Sequence, residues 1–323
     1  MLEKNFLKGP KIDLHCHLDG SMTLNSISEI LGKDVFGSEV QVRDDCTSLS
    51  EYLAKFGLPI ECIQTEAGIK KAAKDFLIDL QNDNVAYVEA RFAPALSMSN
   101  GLKCKQIMES VLEGLEEASK ECGIMYQVII CCMRHHNEET NLKVLKDCRE
   151  FLGSGLCAVD LAGDEAAFPT KNFYNLFEYA RTANYPFTIH SGECGSIENI
   201  LLAAEWGAKR IGHGIAMMNR PDVMKVIADK RIGVEMCPIS NYQTKSLAPG
   251  SVYPIREFSK AGVLVTVNTD NRLVSNTSIA KEMEFLNNHF GITEDELCQF
   301  RKNAVEVAFC DDTMKHKLWK LFN

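Results

Sequence analysis

Lys11-Ile12-Asp13-Leu14-His15-Cys16-His17 sets a short apolar run directly before two histidines spaced two apart. On a β-strand, alternate side chains share a face, so His15 and His17 project together while Cys16 points away. Two imidazoles at one strand end are half of a metal site. Three more stretches place an ionisable residue after an apolar run: His190 with Glu193, then His213, then Asp270.

Working outward, the same local pattern repeats. Short β-branched or apolar runs occur at 11–17, 85–92, 126–132, 156–162, 186–190, 209–213, 232–237 and 263–268. Between them lie amphipathic stretches at 68–81, 104–121, 139–151, 171–183, 197–205 and 221–230. In 104–121, Ile107, Val111, Leu112 and Leu115 recur at helical spacing. Eight strands alternating with helices predict an α/β fold, a (β/α)8 TIM barrel. Residues 20–80 hold more than one helix, including Ser48-Leu49-Ser50-Glu51-Tyr52-Leu53-Ala54-Lys55-Phe56. That excursion predicts a helical cap inserted after strand 1. Residues 293–321 predict two extra C-terminal helices.

Composition is ordinary for a soluble globular chain: 323 residues, 46% hydrophobic and 24% charged. No linker, low-complexity segment or charge block divides it, so a single domain over 1–323 is expected. Net charge is −9, from 35 basic and 44 acidic residues. With no basic tract, a nucleic-acid polymer is a poor partner. The N-terminus has no apolar signal region, and no run is long enough for a membrane span. Thirteen scattered cysteines without paired CxxC spacing read as free thiols in a reducing cytoplasm, most of them buried as small hydrophobes.

Barrel enzymes carry their chemistry at the C-terminal strand ends. This reading places His15 and His17 after strand 1, His190 after strand 5, His213 after strand 6 and Asp270 past strand 8. His135, His136, His289 and His316 fall elsewhere and read as surface or supporting residues. Imidazoles plus one carboxylate suit a borderline cation such as Zn²⁺, which lowers the pKa of a coordinated water. Glu193, three residues after His190, is the candidate proton donor, and Gly192 and Gly195 let the backbone turn sharply beside it. Singly, His213 also fits a core histidine, Glu193 a helix N-terminal charge and Asp270 a helix cap. Four such groups at four strand ends of one barrel favour the metal centre.

The ordered motifs H-x-H-L-D-G-S, L-A-G-D-E, H-x-G-E, G-H-G, C-P-x-S-N and N-T-D resemble the adenosine deaminases of the amidohydrolase superfamily, from residue 11 to about 310. The resemblance implies a hydrolase of purine metabolism that acts on a cyclic amidine C–N bond. It implies deamination of adenosine and 2′-deoxyadenosine to inosine and 2′-deoxyinosine plus ammonia. Its metal ligands would be His15, His17, His190 and Asp270, holding one Zn²⁺ per chain, with Fe²⁺ or Mn²⁺ as alternatives. Glu193 would protonate purine N1. His213 would orient the attacking hydroxide, assisted by Asp270. The Gly163 backbone would meet purine N3, and Asp19 the ribose 5′-hydroxyl. Leu53 and Phe56 would supply an apolar lid. Asn271 stands where the family often has a second aspartate, at the position facing N7. N7 accepts hydrogen bonds, and an Asn amide can donate one without being protonated. The partner is a small nucleoside, with no membrane and a monomer or weak homo-oligomer.

Rival readings differ in substrate. Asp19 weighs against free adenine, because adenine-specific relatives tend to carry Glu there. A nucleotide such as AMP would need several cations at the rim, where only Arg272 and Lys245 offer themselves. A binuclear amidohydrolase would want a lysine on a mid-barrel strand, but those strands end in Cys131-Cys132 and Ala162-Gly163. The cytidine-deaminase signature is absent. A catalytically dead binding protein would lack a member of the catalytic set, and none is missing.

Overall fold

Each of the eight apolar runs forms a parallel strand in the computed structural model, which describes residues 2–43, 46, 48–248 and 250–322. These are β1 Lys11–His17, β2 Val85–Phe92, β3 Met125–Met133, β4 Leu156–Ala162, β5 Thr188–Ser191, β6 Arg210–His213, β7 Gly233–Met236 and β8 Leu264–Val267. They pair in sequence order as β1-β2-β3-β4 and β5-β6-β7-β8. Two parallel bridges, Val159 to Phe187 and Cys16 to Asp270, close the ring. The second closure falls at the predicted site. His17 N donates to Asp270 O at 2.7 Å, and Asp270 N donates to His15 O at 2.8 Å. Barrel closure therefore fixes the register of two strand-1 histidines against the aspartate after β8.

The strands read as near-continuous apolar runs because parallel strands are covered on both faces. The helices cover the outside. In Cys104–Cys122, Ile107, Met108, Val111, Leu115 and Ala118 form the buried face. Gly123 ends it at φ +76°, with its N–H returning to Ser119 O. The helix read as 68–81 starts earlier, at Glu66, because Thr65 caps it by accepting from Gly68 N at 3.1 Å.

The excursion after β1 is helical, as expected: Leu24–Leu31, Gly37–Val40, Leu49–Leu53, the 3₁₀ turn Ala54–Phe56, and Gly57–Cys62. It is tied to the loop after β8, where Tyr52 and Val274 pack together and the Tyr52 hydroxyl lies 2.7 Å from Ser275 Oγ. The C-terminal helices are Glu294–Val307 and Asp312–Phe322. Their Ala304, Val305 and Leu318 pack on Ile12, Leu14 and Tyr87. A helix that the periodicity did not single out, Ile279–Phe290, follows β8. Among the described residues, no helix is long and apolar enough to cross a membrane.

Candidate metal centre and cavity

The strand ends converge on one point. His15, His190, His213 and Asp270 each offer one donor atom, all within 4.8 Å of one another. His17 stands at the edge of this group, its Nε2 3.3 Å from His190 Nε2 and 3.4 Å from Asp270 Oδ1. The structure thus gathers five side chains, one more than the four ligands implied by the resemblance. His213 and Asp270 both hold left-handed backbone, at φ +67° and +62°. Such φ values in residues other than glycine cost about 1–3 kcal/mol and persist where surroundings over-determine them.

Behind the imidazoles lie carboxylates. Glu235 Oε2 lies 2.8 Å from His15 Nδ1. Asp160 Oδ2 lies 2.8 Å from His190 Nδ1, close but poorly aligned for a hydrogen bond. A carboxylate behind Nδ1 keeps the proton there and turns the Nε2 lone pair toward the centre. His15 Nε2 is fully buried without a hydrogen-bond partner among the described residues, and Asp270 Oδ1, 3.3 Å away, is off its bonding direction. Electron-rich nitrogens and a carboxylate facing one another in a buried pocket fit a divalent cation. Ser240 Oγ donates to Asp270 Oδ2 at 2.6 Å and occupies that carboxylate's other oxygen.

Under these pairs runs a buried ion network. Arg91 donates to Asp160 Oδ2 and to Glu235 Oε2, both at 2.9 Å. Arg210 donates to Glu235 Oε1 and to Glu89 Oε2, both at 2.5 Å. The sequence reading missed Arg91, Asp160 and Glu235. Their signal was present as charged residues inside apolar strands, such as Val234-Glu235-Met236, which burial tolerates only when paired.

Glu193 sits above the cluster, its Oε2 3.8 Å from His213 Nε2. Burial, with Asp270 and Glu165 nearby, pushes its carboxyl up to about 8. Glu165 holds the turn that presents it, accepting from the backbone N–H of Gly192, Glu193 and Cys194 at 2.7, 3.0 and 3.1 Å. Gly192 is at φ +76°, and a Cβ there would lie 2.4 Å from Ile200 Cδ1, so the turn requires glycine.

These groups open into a cavity of about 320 Å³. His17, Asp19, Leu53, Phe56, Gly163, His190, Glu193, His213, Asp270 and Asn271 all line it, and only His15 lies beneath. Asp19 is buried, and burial raises its carboxyl to about 6. Asn271 is seated on Gly20, where a Cβ would stand 1.9 Å from its Oδ1. That oxygen has no hydrogen-bond partner among the described residues.

His135, read as surface or supporting, is exposed and also lines the cavity. Two expectations need correction. Arg272 is not a rim cation: it is buried, with Nη1 donating to Asp83 Oδ2 at 3.2 Å. Lys245 lines a neighbouring cleft and not this cavity. The cysteines are free thiols, and eight are buried, including Cys16, whereas Cys194 is exposed.

A buried imidazole–carboxylate cluster at the C-terminal end of a (β/α)8 barrel defines a metal-dependent hydrolase of the amidohydrolase type. The chain belongs to the adenosine deaminase family, whose profile matches residues 10–322. An adenosine deaminase of Clostridium botulinum is 41% identical over 326 residues, covering 97% of each chain. Among solved structures, an amidohydrolase from Burkholderia ambifaria with bound Zn has a TM-score of 0.88 at 20% identity, covering 98% of this chain and 90% of that one. An Arabidopsis N6-mAMP deaminase has a TM-score of 0.87 at 24% identity, covering 99% of both. At those identities the two structures bear on the fold.

Proposed function

We infer that this chain is a single-domain hydrolytic deaminase of adenosine and 2′-deoxyadenosine, releasing inosine or 2′-deoxyinosine and ammonia. The carrying observation is one cavity lined by Glu193, by His17, His190, His213 and Asp270 of the cluster, and by Asp19, with no lysine or arginine among the described residues of its lining. A nucleotide would bring a phosphate into a pocket whose lining carries the carboxyl groups of Asp19 and Asp164, a like-charge contact. That favours a nucleoside over AMP. Free adenine would leave Asp19 with only the Gly20 N–H, which its Oδ1 accepts at 3.1 Å, and no hydroxyl for its other oxygen.

His15, His17, His190 and Asp270 are the residues assigned to the metal, and their N/O donor set suits zinc, with Fe²⁺ or Mn²⁺ also accommodated. A divalent cation there lowers the pKa of water and supplies nucleophilic hydroxide near neutrality. Glu193, kept protonated near neutrality by its burial, donates to N1 and makes C6 more electrophilic. His213 orients the oxygen that adds to C6. The C6–N6 bond then breaks and ammonia leaves, so adenosine plus water balances to inosine plus ammonia. The Gly163 backbone is assigned to N3, Asp19 to the 5′-hydroxyl, Asn271 to N7, and Leu53 with Phe56 to the lid. The many free thiols suit a reducing cytoplasm, and the enzyme is assigned there as a monomer or weak homo-oligomer.

The test is ammonia release from adenosine, 2′-deoxyadenosine, adenine and AMP, with and without a tight metal chelator. Chelator-sensitive turnover of the two nucleosides alone is expected. Preference for AMP or adenine would overturn the substrate assignment. A second measurement addresses Asn271: 7-deazaadenosine lacks the N7 acceptor and is expected to be a much poorer substrate. Equal turnover of the two nucleosides would remove that role.

A further inference from the structure

We propose that Asn241, held by Tyr253, is a positioning residue that fixes which nitrogen of His213 carries the proton, and so sets His213 up as the hydrogen-bond donor that its assigned role requires. The tautomer follows from geometry alone; only its kinetic consequence rests on the deaminase reading above.

Asn241 lies in the short helix Pro238–Gln243 after β7 and is fully buried, as are Tyr253 and His213. Its Nδ2 is 3.0 Å from His213 Nδ1. Its Oδ1 accepts from the Tyr253 hydroxyl at 2.8 Å. An amide NH₂ group donates and cannot accept. His213 Nδ1 must therefore accept and carry no proton. This arrangement excludes both the Nδ1–H tautomer and the doubly protonated ring, and leaves the proton on Nε2.

Tyr253 determines which way the amide points. Its phenolic proton is buried, and Asn241 Oδ1 is its acceptor among the described residues. Reversing the amide would set two donors toward the phenol oxygen and strand its proton.

The same cluster shows the opposite arrangement at His15, where the Glu235 carboxylate stands 2.8 Å behind Nδ1. A carboxylate only accepts, so it keeps the proton on Nδ1 and frees Nε2 for a cation. Chemically opposite partners thus give neighbouring imidazoles opposite tautomers. This resolves the five-residue cluster. His213 approaches the other donor atoms as closely as a ligand would, yet its Nε2 bears hydrogen. That nitrogen lies 3.8 Å from Glu193 Oε2. Asn241 touches no reacting atom and is a positioning residue.

Asn241→Asp tests this with almost no change in shape. A carboxylate behind Nδ1 draws the proton there and frees the Nε2 lone pair. Protein labelled with ¹⁵N in its histidines reports the tautomer by long-range ¹H–¹⁵N correlation, and His213→Gln identifies the signal. Wild-type protein, with and without added zinc, is expected to show Nε2–H at His213. Asn241→Asp is expected to show Nδ1–H, with kcat for adenosine lowered about 10²-fold or more and KM little changed. Tyr253→Phe releases the amide and is expected to give a mixture of tautomers. An Nδ1–H or doubly protonated His213 in the wild-type protein overturns the proposal without any variant. So does an unchanged Nε2–H in Asn241→Asp, whatever its activity. Wild-type protein with Nε2–H at His213 that deaminates neither nucleoside would support the tautomer while counting against the substrate reading.

Discussion

Glu193→Gln is expected to lower kcat/KM for adenosine by about 10²- to 10⁴-fold, the range for loss of a positioned general acid, or about 3–5 kcal/mol of transition-state stabilisation. Gln has nearly the same shape, so the fold and the His/Asp cluster should persist and metal content should not change. What it lacks is a transferable proton. The wild-type pH profile provides the second readout. Burial, with Asp270 and Glu165 close by, raises the Glu193 carboxyl to about 8, so the protonated form persists through neutrality. Activity that needs this form is present below that value and declines as pH rises through it. The descending limb near pH 8 should vanish in Glu193→Gln. A variant that retains the limb, or wild-type activity, would move the acid role to another group.

The proposed chemistry depends on how sharply environments differ over a few ångströms. Asp270 and Glu193 are both buried carboxylic acids, and burial alone would raise both. At Asp270 neighbouring imidazoles, His15 first, outweigh burial and hold the carboxyl well below its usual range. Glu193 has no such neighbours in number and goes the other way. Two carboxylic acids with titrations pushed apart can serve as anion and acid in one cavity.

Much of this was legible from residue order. A histidine directly after an apolar run marks a strand end, and eight runs alternating with helices leave few folds but a closed barrel. The positions of the histidines on those ends were therefore readable by one local rule, whereas Asp19, Gly163, Asn271, Leu53 and Phe56 entered only through the family resemblance. What was not readable depends on register and backbone. Arg91, Asp160 and Glu235 lie on β2, β4 and β7, and nothing in their local sequence says that they meet. The left-handed backbone of His213 and Asp270 leaves no trace in residue type, since histidine and aspartate also occur in ordinary loops. Strand edges in the second half were read too long. Pro186 has no N–H for a ladder, and only its carbonyl joins the barrel, accepting from Val159 N at 3.0 Å. His135 carried no signal at all: it follows β3 by two residues and reaches the cavity only through the path of its loop.

Arg91→Met is expected to be the most damaging substitution outside the cavity. One guanidinium spans two carboxylates, Asp160 and Glu235, at 2.9 Å each, and also donates to Leu14 O at 2.6 Å. Those carboxylates stand behind His190 and His15. Burial works to protonate Asp160, but His190 and Arg91 outweigh it and hold the carboxyl well below its usual range. At Glu235, burial is outweighed in the same way by Arg91 and Arg210. Removing Arg91 leaves Asp160 without its cation and Glu235 with one of two, at a cost of about 3–5 kcal/mol for breaking a buried pair. Carboxyl groups that then take up protons no longer anchor the imidazole Nδ1–H groups, so metal affinity should fall about 10- to 100-fold. Calorimetric unfolding of the metal-free protein reads the first effect, and zinc titration of the folded protein reads the second. Arg91→Lys separates the two. A single ammonium restores charge but cannot form the two-pronged bridge, so it should recover part of the stability and little of the metal affinity. Wild-type zinc affinity in Arg91→Lys would mean that charge alone, and not the bridge between the two carboxylates, sets the imidazoles for the metal.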